Sequence, residues 1–123
     1  MSKSQTDFDP IGLVVDWIDA YRQRELSTLI ELYDDAAIIH CCEGGRFRGR
    51  AELERYWQSK LIRSVPSAFE IDVLMPEAEG VSLDYKGHDG KAVRTLFRFS
   101  HNGKIIHTAC APLQHNGPSW EAA

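Results

Sequence analysis

Between residues 63 and 69 the spacing of apolar side chains changes from helical to strand-like, and this single switch restricts the fold more than any other feature of the chain. Before it, Leu13, Val14, Trp17, Ile18 and Tyr21 recur one helical turn apart, with Asp16, Asp19, Arg22 and Gln23 on the other side. Leu53, Tyr56, Trp57 and Leu61 repeat that pattern. After it, Val81, Leu83 and Tyr85 alternate with Ser82, Asp84 and Lys86, and Val93, Thr95, Phe97 and Phe99 alternate with Arg94, Leu96 and Arg98. Helices followed by a run of consecutive strands predict an α+β domain, with the helices gathered on one face of an antiparallel sheet. The inherent twist of such a sheet lets it curl around a conical interior.

The element boundaries follow from local chemistry. Asp9-Pro10 predicts a helix start, an N-cap oxygen followed by a proline whose missing N–H costs nothing there. A second short helix is expected over 26–33, with Leu29, Ile30 and Tyr33 as its buried stripe and Asp34-Asp35 as its end. A strand over 36–42 follows, then a Gly44-Gly45 turn, a return strand over 46–48, and a third helix opened by Gly49 that ends before Pro66. A strand over 69–74 is expected to stop at Pro76, 87–90 to form a hairpin turn, and Asn102-Gly103 a second one. The last strand spans 104–111, and the tail from Pro112 reads as extended or poorly ordered.

At 123 residues the chain suits one domain, expected over 8–112 with a tail over 113–123. The formal charge of −4 and the lack of a basic run argue against nucleic-acid binding. No window is apolar enough for a membrane span, and the first ten residues lack the apolar core of a signal peptide, so a cytoplasmic location is expected. Three cysteines, two of them adjacent, form a poor disulfide framework and suit a reducing compartment.

The stretch 33–49 is where chemistry is expected. His40, Cys41 and Cys42 lie on an apolar strand beside a glycine turn. Neighbouring strand residues point to opposite faces, so these three cannot share one metal ion, and no cysteine–histidine cluster of zinc spacing exists. An imidazole has the right unperturbed pKa for proton transfer near neutrality. His107 alternates with Thr108 and is expected to face away from the interior. His88, His101 and His115 lie in turns or the tail and read as solvated, as do Asp16, Asp19 and Arg22 on their helix face.

Several short patterns occur in order: Val15-Asp16-Trp17 with Tyr21-Arg22, Leu32-Tyr33-Asp34-Asp35-Ala36, Arg48-Gly49-Arg50-Ala51, and Phe97-Arg98-Phe99 before Asn102-Gly103-Lys104. In this order and spacing the chain resembles the nuclear transport factor 2-like superfamily, also called the SnoaL-like or cystatin-like cone fold, over residues 8–112. The resemblance implies three N-terminal helices packed on a strongly curved, mostly antiparallel sheet, and a homodimer formed through the convex face of that sheet. Leu96 and Ile105 are the apolar residues expected on that outer side. The superfamily hosts isomerases, dehydratases, cyclases and plain binding modules, so fold alone does not select a function.

Ketosteroid isomerase, one member, uses a carboxylate base and an oxyanion hole of a tyrosine and a protonated aspartic acid. By resemblance those two donor positions hold Trp17 and Thr95 here, which argues against steroid isomerisation. The base position holds His40 in one register and Cys41 in the other, and a one-residue slip exchanges the two faces; His40 is the preferred candidate. The expectation is a small-molecule-binding domain, or a cofactor-free proton-transfer enzyme of isomerase, dehydratase or cyclase type, with His40 as general base. Trp17, Tyr21, Tyr33, Trp57, Tyr85, Thr95, Phe97 and Thr108 are the expected ligand-lining residues. The ligand would be a small apolar molecule with a carbonyl or hydroxyl, and no metal or cofactor is implied. The alternative is a non-catalytic homodimeric module whose cavity is filled.

Overall fold

The structure, a computed structural model, describes residues 8–41, 44–63, 70–86 and 91–113. Asp9 caps α1 (Pro10–Arg22) as its spacing predicts, accepting from the Gly12 N–H at 3.1 Å. Next come α2 (Leu26–Glu31), β1 (Tyr33–His40), β2 (Arg46–Arg48) and α3 (Arg50–Arg63). The strands β3 (Glu70–Glu77), β4 (Gly80–Lys86), β5 (Ala92–Phe99) and β6 (Ile105–Pro112) complete the chain. The six strands form one sheet in the order β2-β1-β6-β5-β4-β3. Every neighbouring pair is antiparallel except β1–β6. The helices bring Val14, Trp17, Ile18, Leu29, Leu53, Trp57 and Leu61 into one core with the inward residues of the strands.

Three expectations are corrected. Tyr33 does not end α2; the helix stops at Glu31 and Tyr33 opens β1, so this strand begins three residues earlier than the 36–42 expected. Pro76 does not stop β3. It sits within the strand opposite Val81, and β3 is the outermost strand, where a residue without an N–H is tolerated. A register irregularity between Ile71 and Val73 turns Leu74 toward the core opposite Leu83 and leaves Val73 outside. Ile105 is fully buried rather than on the outer side, because another irregularity pairs it with Phe99 while His107 pairs with Arg98.

The hairpin expected over 87–90 and the tail beyond Leu113 lie outside the described residues, as do Cys42, His88 and His115. Cys110 is disulfide-bonded, which corrects the expectation of cysteines free of disulfides; Cys41 carries a free thiol. Among the described residues no helix is long and apolar enough to cross a membrane.

Candidate functional site

The interior of the cone is built around Trp17. Its indole meets Tyr21, Trp57 and Phe97 edge-to-face with ring centres 5.3, 5.7 and 5.0 Å away, and Tyr85 at 6.3 Å. Such T-shaped pairs add to the burial of the rings themselves. The Trp17 Nε1–H donates to the Tyr33 hydroxyl at 3.0 Å. Burial raises the Tyr33 phenol above its ordinary pKa more than its neighbours Trp17, Trp57 and Thr108 lower it, so it remains a protonated, neutral group. On the facing strands Tyr85 and Thr95 share a hydrogen bond of 3.2 Å through their hydroxyls. Strand pairing sets Thr95 opposite Leu83, and Phe97 opposite Thr108, all of them buried.

The eight expected lining residues therefore converge: Trp17, Tyr21, Tyr33, Trp57, Tyr85, Thr95, Phe97 and Thr108 are each 5% exposed or less. They pack mostly on one another. What remains open between them is a cavity of about 20 Å³, room for roughly one water. Trp17, Trp57, Tyr85, Thr95 and Thr108 border it, joined by Ile39, Tyr56, Lys60 and Cys110. Lys60 and Cys110 were not anticipated, although both were within reach of periodicity. Lys60 lies three residues after Trp57 on the same helix face, and Cys110 lies two after Thr108 on the same strand face.

Within this interior one donor is left over. Among the described residues, the Trp57 Nε1–H is buried without a hydrogen-bond partner. It approaches the Tyr33 hydroxyl, which already accepts from Trp17, but does not meet hydrogen-bond geometry. A bare buried donor costs roughly 1–3 kcal/mol, so an oxygen acceptor brought within reach of it would be stabilising.

The expectation that His40 enters the cone is not met. Tyr33, Ala37 and Ile39 are the buried residues of β1, and strand alternation then puts His40 outside. Its neighbour Cys41, the other register considered, turns toward α3, where its thiol lies against Tyr56. The Tyr56 phenol is raised, by burial first and by Cys41 next. The register of the resemblance that is counted back from Gly49 favours His40, whereas the burial of Ala37 and Ile39 gives the strand the other parity. His40 borders the cavity, but its Nδ1 lies 2.9 Å from Nε2 of His107 on the outer face, the two rings being edge-to-face. His107 faces outward as expected. Asp16 is exposed on α1, as are Asp19 and Arg22. Among the described residues no group of three or more His, Cys, Asp or Glu is gathered as a metal site would require.

Burial lowers the His107 pKa from its ordinary 6.5, and the charges of His40 and Arg98 push it the same way. The folded protein thus holds His107 neutral where an unfolded chain would take up a proton. Stability should be unaffected above pH 6.5 and should fall as pH drops from there toward the folded-state pKa. Denaturation of wild type and His107→Gln at pH 7.5 and pH 5 checks this. The expected result is a smaller loss on acidification in the variant; an equal loss would remove His107 from the account.

Six strands in this order, curled around a helical layer whose aromatic residues fill the concave side, can be compared with known folds. The SnoaL-like protein of unknown function from Burkholderia thailandensis superposes with a TM-score of 0.76 at 20% identity, over 85% of this chain and 95% of that one. The chain has the nuclear transport factor 2-like fold. A protein proposed to be a polyketide cyclase, from Sinorhizobium meliloti, shares this cone fold with a TM-score of 0.71 at 18% identity, covering 86% of this chain and 97% of the other. The epoxide hydrolase/cyclase-like enzyme SalBIII, which has a role in pyran ring formation in the polyether salinomycin, gives 0.68 at 15% identity over 93% and 95%. At these identities the likeness concerns the cone fold alone. No family model and no curated protein matches the sequence.

Proposed function

We propose that the chain is a small-molecule-binding cone-fold protein that takes a compact carbonyl- or hydroxyl-bearing ligand between α3 and the concave face of the sheet. The single observation carrying this reading is the polar-edged cavity inside an otherwise aromatic core, bordered by Trp57, whose buried indole N–H has no hydrogen-bond partner among the described residues. A core that served packing alone would leave no such donor, because an apolar side chain of the same shape would cost less. Proton-transfer chemistry of the cyclase kind has support from two fold neighbours, the proposed polyketide cyclase and the epoxide hydrolase/cyclase-like enzyme, and none from the position expected of it. The imidazole of His40 is engaged with His107 on the outer side, and the phenols inside are held protonated by burial. Binding is therefore the better-supported half of the reading.

The test is a thermal-shift screen of the purified protein against small ketones, enones, phenols and hydroxy acids, followed by turnover assays of each hit. Stabilisation by one of these classes is the expected result, with no turnover by the wild type, or with turnover that His40→Ala leaves unchanged. No shift for any compound would sink the reading, and loss of turnover in His40→Ala with binding intact would restore the catalytic role to His40.

A second reading, homodimerisation through the convex sheet face, draws on Val73, Met75 and Leu96, which stand 38, 46 and 44% exposed on that side. Polar pairs flank them, buried Ser82 with exposed Glu77 and buried Asp84 with exposed Arg94. Leu96→Asp should convert a dimer to a monomer in sedimentation velocity without changing the fold. An unchanged species would discard this face.

A further inference from the structure

The sheet brings two imidazoles together on its outer side. In the parallel β1–β6 ladder Ile38 lies opposite His107 and His40 opposite Ala109, so the two histidines are diagonal neighbours. They share the convex face, because Ala37 and Ile39 of β1 turn inward and strand residues alternate. Nδ1 of His40 and Nε2 of His107 stand 2.9 Å apart, with the rings edge-to-face. His40 is exposed and His107 half-buried. Directly across from His40, Ala109 offers only a methyl group, which leaves room beside the two nitrogens.

We infer that His40 Nδ1 and His107 Nε2 form a two-imidazole site for a first-row transition-metal dication, Cu2+ or Ni2+ before Zn2+, with water completing the shell. Two nitrogens bound at about 2.05 Å and at a right angle, as in a square-planar or octahedral shell, stand about 2.9 Å apart. A tetrahedral shell spreads them to about 3.3 Å. The pair has the first of these spacings, so an ion enters through small turns of the two rings, with no movement of the strands. Both rings stay neutral. Each keeps its proton on the nitrogen facing away, Nε2 of His40 and Nδ1 of His107, and the two facing lone pairs go to the ion. An enclosing cage would need three or more protein ligands, and none is gathered among the described residues. Here the fold fixes two adjacent positions and leaves the others to solvent. Two charges oppose the ion: Arg46 lies across from His40, and Arg98 across from His107. Both side chains are exposed, and Glu79 holds Arg98 at 3.3 Å, so water, salt and that carboxylate weaken the repulsion. What repulsion remains excludes Ca2+ and Mg2+, hard cations that want oxygen ligands.

Two measurements on the full chain test this. Calorimetric titrations with the chlorides of Ni2+, Cu2+, Zn2+, Ca2+ and Mg2+ compare wild type, His40→Gln and His107→Gln, each variant checked for its fold by circular dichroism. Electron paramagnetic resonance of Cu2+ bound to the wild type needs no substitution. The expected order of affinity is Cu2+, Ni2+, Zn2+, with no binding of Ca2+ or Mg2+. Either glutamine variant should weaken Ni2+ by at least about tenfold, the lower end of what losing even a supporting group around a metal costs. The Cu2+ spectrum should show coupling to two imidazole nitrogens. Ni2+ affinity equal to wild type in both variants overturns the inference and assigns the ion to another part of the chain. Loss in one variant alone, Zn2+ bound more tightly than Ni2+, a Cu2+ spectrum with fewer than two nitrogens, or no binding at millimolar Ni2+ also overturns it. None of these results bears on the small-molecule reading, which concerns the interior of the cone and is tested by its own screen.

Discussion

Trp17→Ala should destabilise the protein by about 4 kcal/mol, in the upper range for removal of a buried tryptophan. Its side chain joins several parts of the interior. It is 2% exposed, stands on α1, and touches aromatic rings from α3, β4 and β5. Its removal opens a large void at the apex of that cluster and takes the donor from the Tyr33 hydroxyl, which is itself fully enclosed. Trp17→Phe separates the two effects, since it keeps most of the ring contacts and loses only the Nε1–H. It should cost roughly 1–3 kcal/mol. Urea titrations of both variants, with the m-value checked for two-state behaviour, provide the measurement. An alanine variant within about 1 kcal/mol of wild type would mean that the cone interior repacks freely, contrary to a close-packed core.

Gly80→Ala should be nearly as damaging, for a different reason. A Cβ at Gly80 would fall 1.8 Å from the carbonyl oxygen of Phe97 and 3.0 Å from its carbonyl carbon. Both are backbone atoms of the paired strand, so no side chain can swing aside, and β4 and β5 would have to part where Val81 pairs with Phe97. The expected cost is about 3 kcal/mol, a fall in Tm of roughly 10 °C for a domain of this size. Gly44→Ala is the control. Nothing lies within 4 Å of a Cβ there, and the positive φ of 98° leaves only the left-handed backbone penalty of about 1 kcal/mol. Similar Tm values for the two variants would contradict the close approach at Gly80.

The organisation of the chain was legible because it rests on period. The change from 3.6 to 2 at residues 63–69 separates α3 from β3, and the Asp9-Pro10 start and the Gly49 entry to α3 follow from cap chemistry. The concave-side residues were legible for the same reason: Thr95 and Phe97 alternate with Leu96 and Arg98 on β5, and Trp17 with Tyr21 holds one face of α1. Strand parity at irregular places was not. Ile105 changes side through a register shift, and such a shift leaves no mark on an apolar pattern that is plausible on either face. Pro76 misled because a proline breaks a central strand but is tolerated at a sheet edge, and edge position is a property of the whole sheet.

Sequence by itself determined which side chains the cone encloses, because amphipathic period is a local property and burying the apolar face is the largest favourable term in folding. Only the tertiary structure decided what those side chains do once enclosed. It turned Cys41 toward α3 and His40 outward to His107, on the strand parity that buried Ala37 and Ile39 set. It closed the aromatic residues on one another until about 20 Å³ remained. It also left the Trp57 N–H bare while giving the Trp17 N–H a partner, a difference between two tryptophans that no spacing encodes, since hydrogen-bond satisfaction depends on which atoms of distant strands arrive within 3 Å of each other.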